Sequence, residues 1–165
     1  MVSGADNASG RAETSGVAKT TIYRHWPNRE SLLLDLVDEL APPFGPIDTG
    51  SLAGDLAAAA RELAATLGDT AWSRALPGLL DAAQRDPELC RIVDAAGRAR
   101  RQVVLDALER ARQRGELAEG VDPQVAAALL AGPLFYCRLV LRRQPDEAFV
   151  DGVVEGVLRS LVRRS

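Results

Sequence analysis

Between Gly16 and Arg29 the sequence GVAKTTIYRHWPNR carries Lys19, Arg24 and Arg29 and no acid within fourteen residues. The chain as a whole is acidic, with 20 Lys+Arg against 23 Asp+Glu and a formal charge of -3. A local cluster of cations in an acidic chain marks a polyanion contact, because attraction to phosphate needs positive charge only where contact is made. On a helix, residues 19 to 25 bring Thr20, Tyr23 and, one turn beyond Thr21, His25 onto adjoining faces, with Ile22 and Trp26 four apart as the apolar anchor. Small hydroxyls and a phenol beside cations suit a nucleic-acid groove. The first side chains of a short helix reach base edges there, and Tyr, His and Arg reach phosphates. A solvated basic helix would show the same charge pattern, so charge alone leaves both readings open.

Other chemistries find less support. His25 is the only histidine and has no cysteine pair near it, so no metal site is expected. Ser31 and Ser73 stand near no base that the sequence can name, so no catalytic residue and no cofactor are expected. Cys90 and Cys137 form no CxxC, which argues against a disulfide framework, and Cys137 reads as a small buried hydrophobe in a reducing, cytoplasmic setting.

The elements that must position the basic segment are helical. Residues 1–15 contain Val2 as their only large aliphatic, too little to offset ordering entropy, and are expected to be disordered. Pro27 stops the short helix after Trp26, and Asn28 caps another in which Leu32, Leu33, Leu36, Val37 and Leu40 recur at helical spacing up to Pro42 and Pro43. PPFGPIDTG then breaks any period and is expected to be a linker. Beyond it, Ser51 caps a stripe of Leu52, Leu56, Ala59, Ala60, Leu63 and Leu67. A helix from Asp69 or Thr70 carries Trp72, Leu76, Leu79 and Leu80, with Pro77 predicting a kink or break. Asp86-Pro87 and Asp122-Pro123 are start signals, an N-cap followed by proline at the first helical position. The first opens a long helix to Gly115; the second opens a nearly all-apolar one interrupted at Gly132-Pro133, which needs partners on most sides. A last helix begins near Asp146, with Phe149, Val150, Val153, Val154, Val157, Leu158 and Leu161 at helical spacing.

GVAKTTIYRHWPNRESLLLDLV resembles the second half of the helix-turn-helix of the tetracycline-repressor (TetR) family: turn glycine, short recognition helix with Tyr-x-His, then the start of a connecting helix. DPQVAAALLAGPLFYCRLVLRRQPDEAFVDGVVEGVL is similar to the two C-terminal helices through which many members dimerise. The resemblance implies an all-α protein: a partial DNA-binding head over 16–41, in which the first helix and most of the second are expected to be missing, and a ligand-binding and dimerisation bundle over 51–165. It implies that Lys19, Thr20, Thr21 and Tyr23 face the major groove of operator double-stranded DNA, with Tyr23, His25 and Arg29 on phosphates. Two functions from different classes follow. One is a homodimeric regulator, a repressor released by a small-molecule effector; the other is a helical dimerisation or ligand-binding module without DNA activity.

Within the bundle, Trp72, Leu76, Phe135 and Tyr136 are candidates for an effector cavity, since such cavities are mostly apolar with a few polar tips, although aromatics on apolar faces also serve as plain core. Leu134, Leu141, Val150, Val154 and Val157 are expected at a four-helix seam between two subunits. No uninterrupted apolar run approaches the roughly 18 residues of a membrane span, and no membrane partner is expected.

Overall fold

The computed structural model describes residues 44–162 together with Ser31, Leu33, Asp35, Val37 and Glu39. Those five early positions are helical, and Val37 is buried in the main core with Leu33 packed against it. Five further helices follow: α1 Leu52–Thr66, α2 Ala71–Ala83, α3 Pro87–Gln113, α4 Pro123–Phe135 and α5 Glu147–Leu161. The described residues contain no strand, as the helical periodicity predicts.

Each helix begins where a side chain can take up orphan amides. Ser51 Oγ accepts from Gly54 N at 3.1 Å, Thr70 Oγ1 from Ser73 N at 3.0 Å and Asp146 Oδ1 from Phe149 N at 2.9 Å. Asp86 and Asp122 each accept two amides, ahead of Pro87 and Pro123, so the two Asp-Pro pairs act as the start signals they resemble. Long α3 ends on a glycine turn. Gly115, at φ 75, donates to Arg112 O, and Glu116 donates back to Ala111 O at 2.9 Å. This pairing closes the last carbonyls and requires a left-handed residue that only glycine adopts at little cost.

Packing explains the apolar stripes. α1 lies against α3, α4 and α5, α4 joins α3 and α5, and α2 rests on α3. The core runs through Leu52, Leu56, Ala60 and Leu67 of the first stripe and its C-terminal continuation, Val104, Leu108 and Ala111 of α3, Leu130 and Leu134 of α4, and Val150, Val154, Val157 and Leu161 of α5. The break expected at Pro77 and the interruption expected at Gly132-Pro133 are corrected. α2 runs unbroken through Pro77, which lies on its exposed face away from the core. α4 likewise continues past Pro133, and the disturbance appears three residues later as a wide π turn, Tyr136–Val140, closed by Leu141 N to Tyr136 O at 3.1 Å.

Candidate functional site

The residues expected to touch DNA, Lys19, Thr20, Thr21, Tyr23, His25 and Arg29, lie outside the described residues. What the structure shows in detail is how the chain leaving the head helix is received by the bundle. The linker is a strap rather than a free tether. Arg100 of α3 stands over the Phe44 ring at 5.9 Å and over the Trp72 ring at 5.8 Å. Further along α3, Arg110 donates from Nη2 to Ile47 O and, at 3.1 Å, to Asp55 Oδ2. Past the glycine turn, Glu116 Oε2 accepts the Leu52 amide, the first of α1, at 2.8 Å. From Arg100 to Arg110 α3 rises about 15 Å, and Phe44, Ile47 and Leu52 meet Arg100, Arg110 and Glu116 in that order. The strap therefore runs alongside α3 in the same direction.

Asp55 is the centre of this clasp and is completely buried. A buried carboxylate is costly unless partnered. Its Oδ1 accepts the Thr49 amide at 2.6 Å and the Thr49 hydroxyl at 2.8 Å, and its Oδ2 accepts Arg110. Burial pushes its carboxyl up, but the two Thr49 bonds and the Arg110 guanidinium outweigh that and hold it below the usual aspartate range. Gly54 makes room for the arrangement, since a Cβ there would collide with the Thr49 hydroxyl. Glu116 is also held below its ordinary range, first by the Arg114 side chain and then by the Leu52 amide. Sequence reading sees a linker here because Pro and Gly break the period; the clasp joins residues 55 and 110, which no local pattern connects. The available signal was a carboxylate inside the apolar stripe of α1, opposite an arginine near the end of α3.

The expected effector residues separate. Trp72 and Leu76 are buried in the core, Phe135 is partly buried against it, and Tyr136 is 52% exposed, so Tyr136 differs from the other three in facing water. Two surface clefts lie elsewhere. One, of about 370 Å³, is lined by Arg61, Ala64, Ala65, Gly68, Gln144, Pro145, Glu147 and Val150; the other, of about 550 Å³, lies along 112–121.

The expected seam residues are also redistributed. Leu134, Val150, Val154 and Val157 are buried within the single subunit, and of the five only Leu141 is exposed. Helical spacing groups residues on a face but does not say which face meets the subunit's own core. The outward row of α4 and its π turn is instead Val125, Leu129, Tyr136 and Val140, all exposed, and on α5 Gly152 and Gly156 are exposed as well. By length and composition alone Pro123–Val140 could cross a membrane, and only 28% of that stretch is buried in the subunit.

The fold on its own defines an all-helical bundle that receives an N-terminal helix through a clasped strap. Comparison with known proteins gives that class its family. Residues 46–157 match the family described as "Tetracyclin repressor-like, C-terminal domain". The uncharacterized HTH-type transcriptional regulator YdeS of Bacillus subtilis is 30% identical over 91% of this chain and 76% of its own length. The DNA-binding transcriptional repressor TetR of Mycobacteroides abscessus is 34% identical over 92% and 80%. The crystal structure of the TetR family transcription regulator SCO0332 superposes with a TM-score of 0.68 at 31% identity, covering 92% of this chain and 85% of that one. The chain belongs to the TetR family of transcriptional regulators.

Proposed function

We propose that the protein is a homodimeric repressor that binds operator DNA through the head and releases it when a small molecule enters the bundle. The observation that carries the dimer is α4, which is apolar all round yet covered on one side only. A second copy supplies the missing side, because a two-fold axis sets the same row against itself. Val125, Leu129, Tyr136 and Val140 then meet their counterparts, with Gly152 and Gly156 letting the helix backbones approach, in a four-helix seam. Such a dimer holds two recognition helices about one DNA turn, roughly 34 Å, apart. In this reading Lys19, Thr20, Thr21 and Tyr23 read the groove while His25 and Arg29 join Tyr23 on phosphates.

The effector's entry is favoured on the side of Trp72 and Leu76. α2 rests chiefly on α3, so it is the helix that parts most easily to admit a ligand. A ligand acts only through its different affinity for the two head spacings. Light scattering after size exclusion, paired with a mobility-shift titration over salt, tests the proposal. A dimer whose operator complex weakens steeply with ionic strength is expected. A monomer at micromolar concentration overturns the spacing mechanism, and a dimer that retards no DNA at low salt leaves a dimerisation module.

A further inference from the structure

We propose that two copies of the chain meet along α4 in antiparallel register centred on Gly132-Pro133, with the arginines that follow α4 in one copy set against the acidic start of α4 in the other. This rests on the reading that the outer row is the dimer seam, and it adds which end meets which. The exposed row is symmetric about its middle. Val125 and Val140 lie equally far on either side of the Gly132-Pro133 bond, and so do Leu129 and Tyr136. A two-fold axis through that bond therefore sets Val125 on Val140 of the second copy and Leu129 on its Tyr136, apolar on apolar along the whole row. Gly132, at the centre, is exposed, and a Cβ there would meet no neighbouring atom of its own subunit within 4 Å. Glycine is unfavourable inside a helix, and packing within the subunit does not call for it here; the close approach of a second backbone does.

Charge fixes the direction. Arg138, Arg142 and Arg143 gather at the end of the π turn, and none of these three side chains forms an ion pair with a described residue. At the opposite end Glu119 and Asp122 are exposed, and Asp122 also caps α4 by accepting Gln124 N at 2.8 Å. A parallel pairing stacks the three arginines of one copy on the same three of the other, a like-charge contact that opposes association. The antiparallel pairing sets the basic end on the acidic one. The midpoint that matches the apolar residues also lies halfway between Asp122 and Arg143, so one register serves both. A two-fold axis makes every contact twice. Such a seam accepts a second copy of this chain and rejects a bundle whose α4 is not charged in this order.

The test uses the full chain with Cys90→Ser and Cys137→Ser. A tagged Val125→Cys chain and an untagged Val140→Cys chain are co-expressed and oxidised, and each is also oxidised alone. In the antiparallel register Val125 and its own counterpart stand about 22 Å apart along the seam, out of reach of a disulfide. The mixed dimer is therefore expected to crosslink at least tenfold more than either chain alone. A second arm keeps both native cysteines and follows the dimer by sedimentation velocity. Arg143→Glu should raise the dissociation constant at least fivefold, and adding Asp122→Ser, which keeps a capping hydroxyl but removes the charge, should recover most of that loss. Arg98→Glu, an equal change of charge at an exposed position of α3, should leave it unaltered. Crosslinking of Val125→Cys alone, or of no combination, in a chain that light scattering shows to be dimeric overturns the register and leaves the dimer standing. An Arg143→Glu effect no larger than that of Arg98→Glu also overturns it. A monomer overturns the seam and the register together.

Discussion

The clasp around Asp55 and the outer row of α4 are opposite solutions to burying difficult groups. At the clasp a charged side chain sits in the core with its partners supplied by the same chain, one on the strap and one on α3. On α4, Val125, Leu129, Tyr136 and Val140 are apolar and left open to water. Polar groups brought inside must be matched at once, since each unmatched bond is lost in full. Apolar groups left outside lose a smaller, graded amount with area and can wait for a partner. One region is finished within the chain, and the other, in the proposed dimer, is finished by association. Structural integrity should therefore be most sensitive at the clasp, and assembly at the row.

The largest effect is expected from Arg110→Leu. It leaves Asp55 buried with only its Thr49 bonds, and breaking a buried pair by removing one partner costs about 3–5 kcal/mol. The retained Thr49 bonds place the expected value near the lower end. Urea unfolding followed by circular dichroism measures it, and adding Asp55→Asn should recover part of the loss because the stranded charge is gone. A cost below about 1 kcal/mol, the range of exposed pairs, would show that the clasp is no more than a surface contact.

Leu129→Glu comes next and should act in the opposite place. Within one subunit the side chain is exposed, so the unfolding midpoint of dilute chain should hardly move. Two copies would bring like charges together on a dry seam, weakening the dimer by on the order of 2 kcal/mol, roughly 30-fold in dissociation constant. Sedimentation velocity across a concentration series reads this directly. The contrasting change is Leu134→Ala, fully buried one turn away, which should cost about 3 kcal/mol of subunit stability. Should Leu129→Glu leave the mass unchanged at every concentration, the outer row is not the seam.

The helices that carry this contrast were legible in the sequence. The five caps Ser51, Thr70, Asp86, Asp122 and Asp146 and the apolar periods between them locate the bundle helices, because both signals act within a few residues. The motif string from Gly16 carries the family. Three features were not legible for a common reason. Which face of α4 and α5 turns inward depends on helices elsewhere in the chain, so Leu134, Val150, Val154 and Val157 read as a seam when they are core. The accommodation of Pro77 depends on the ring facing outward. The clasp depends on the strap running beside α3, a direction set by the fold and absent from local composition.

The smallest effect expected is that of Glu116→Gln, and it is most informative as a function of pH. The side chain is about one-third exposed, 32%, so its bond to the Leu52 amide should contribute only about 1 kcal/mol at neutral pH. Part of that comes from a negative charge beside the positive end of α1, which an amide does not supply. The carboxyl is held below its ordinary value in the folded chain, by Arg114 first and the Leu52 amide second. Its contribution is therefore complete above the unfolded glutamate value of about 4.3 and disappears as the pH falls through the lower folded value. The native chain and the Gln variant should differ in unfolding free energy at neutral pH and converge below that range, whereas Arg110→Leu, which leaves Glu116 in place, should not remove the convergence. A native–Gln gap of constant size down to the most acidic condition that preserves the fold would mean that Glu116 supports α1 through packing alone, and the charge at the end of the strap would have no part in fastening it.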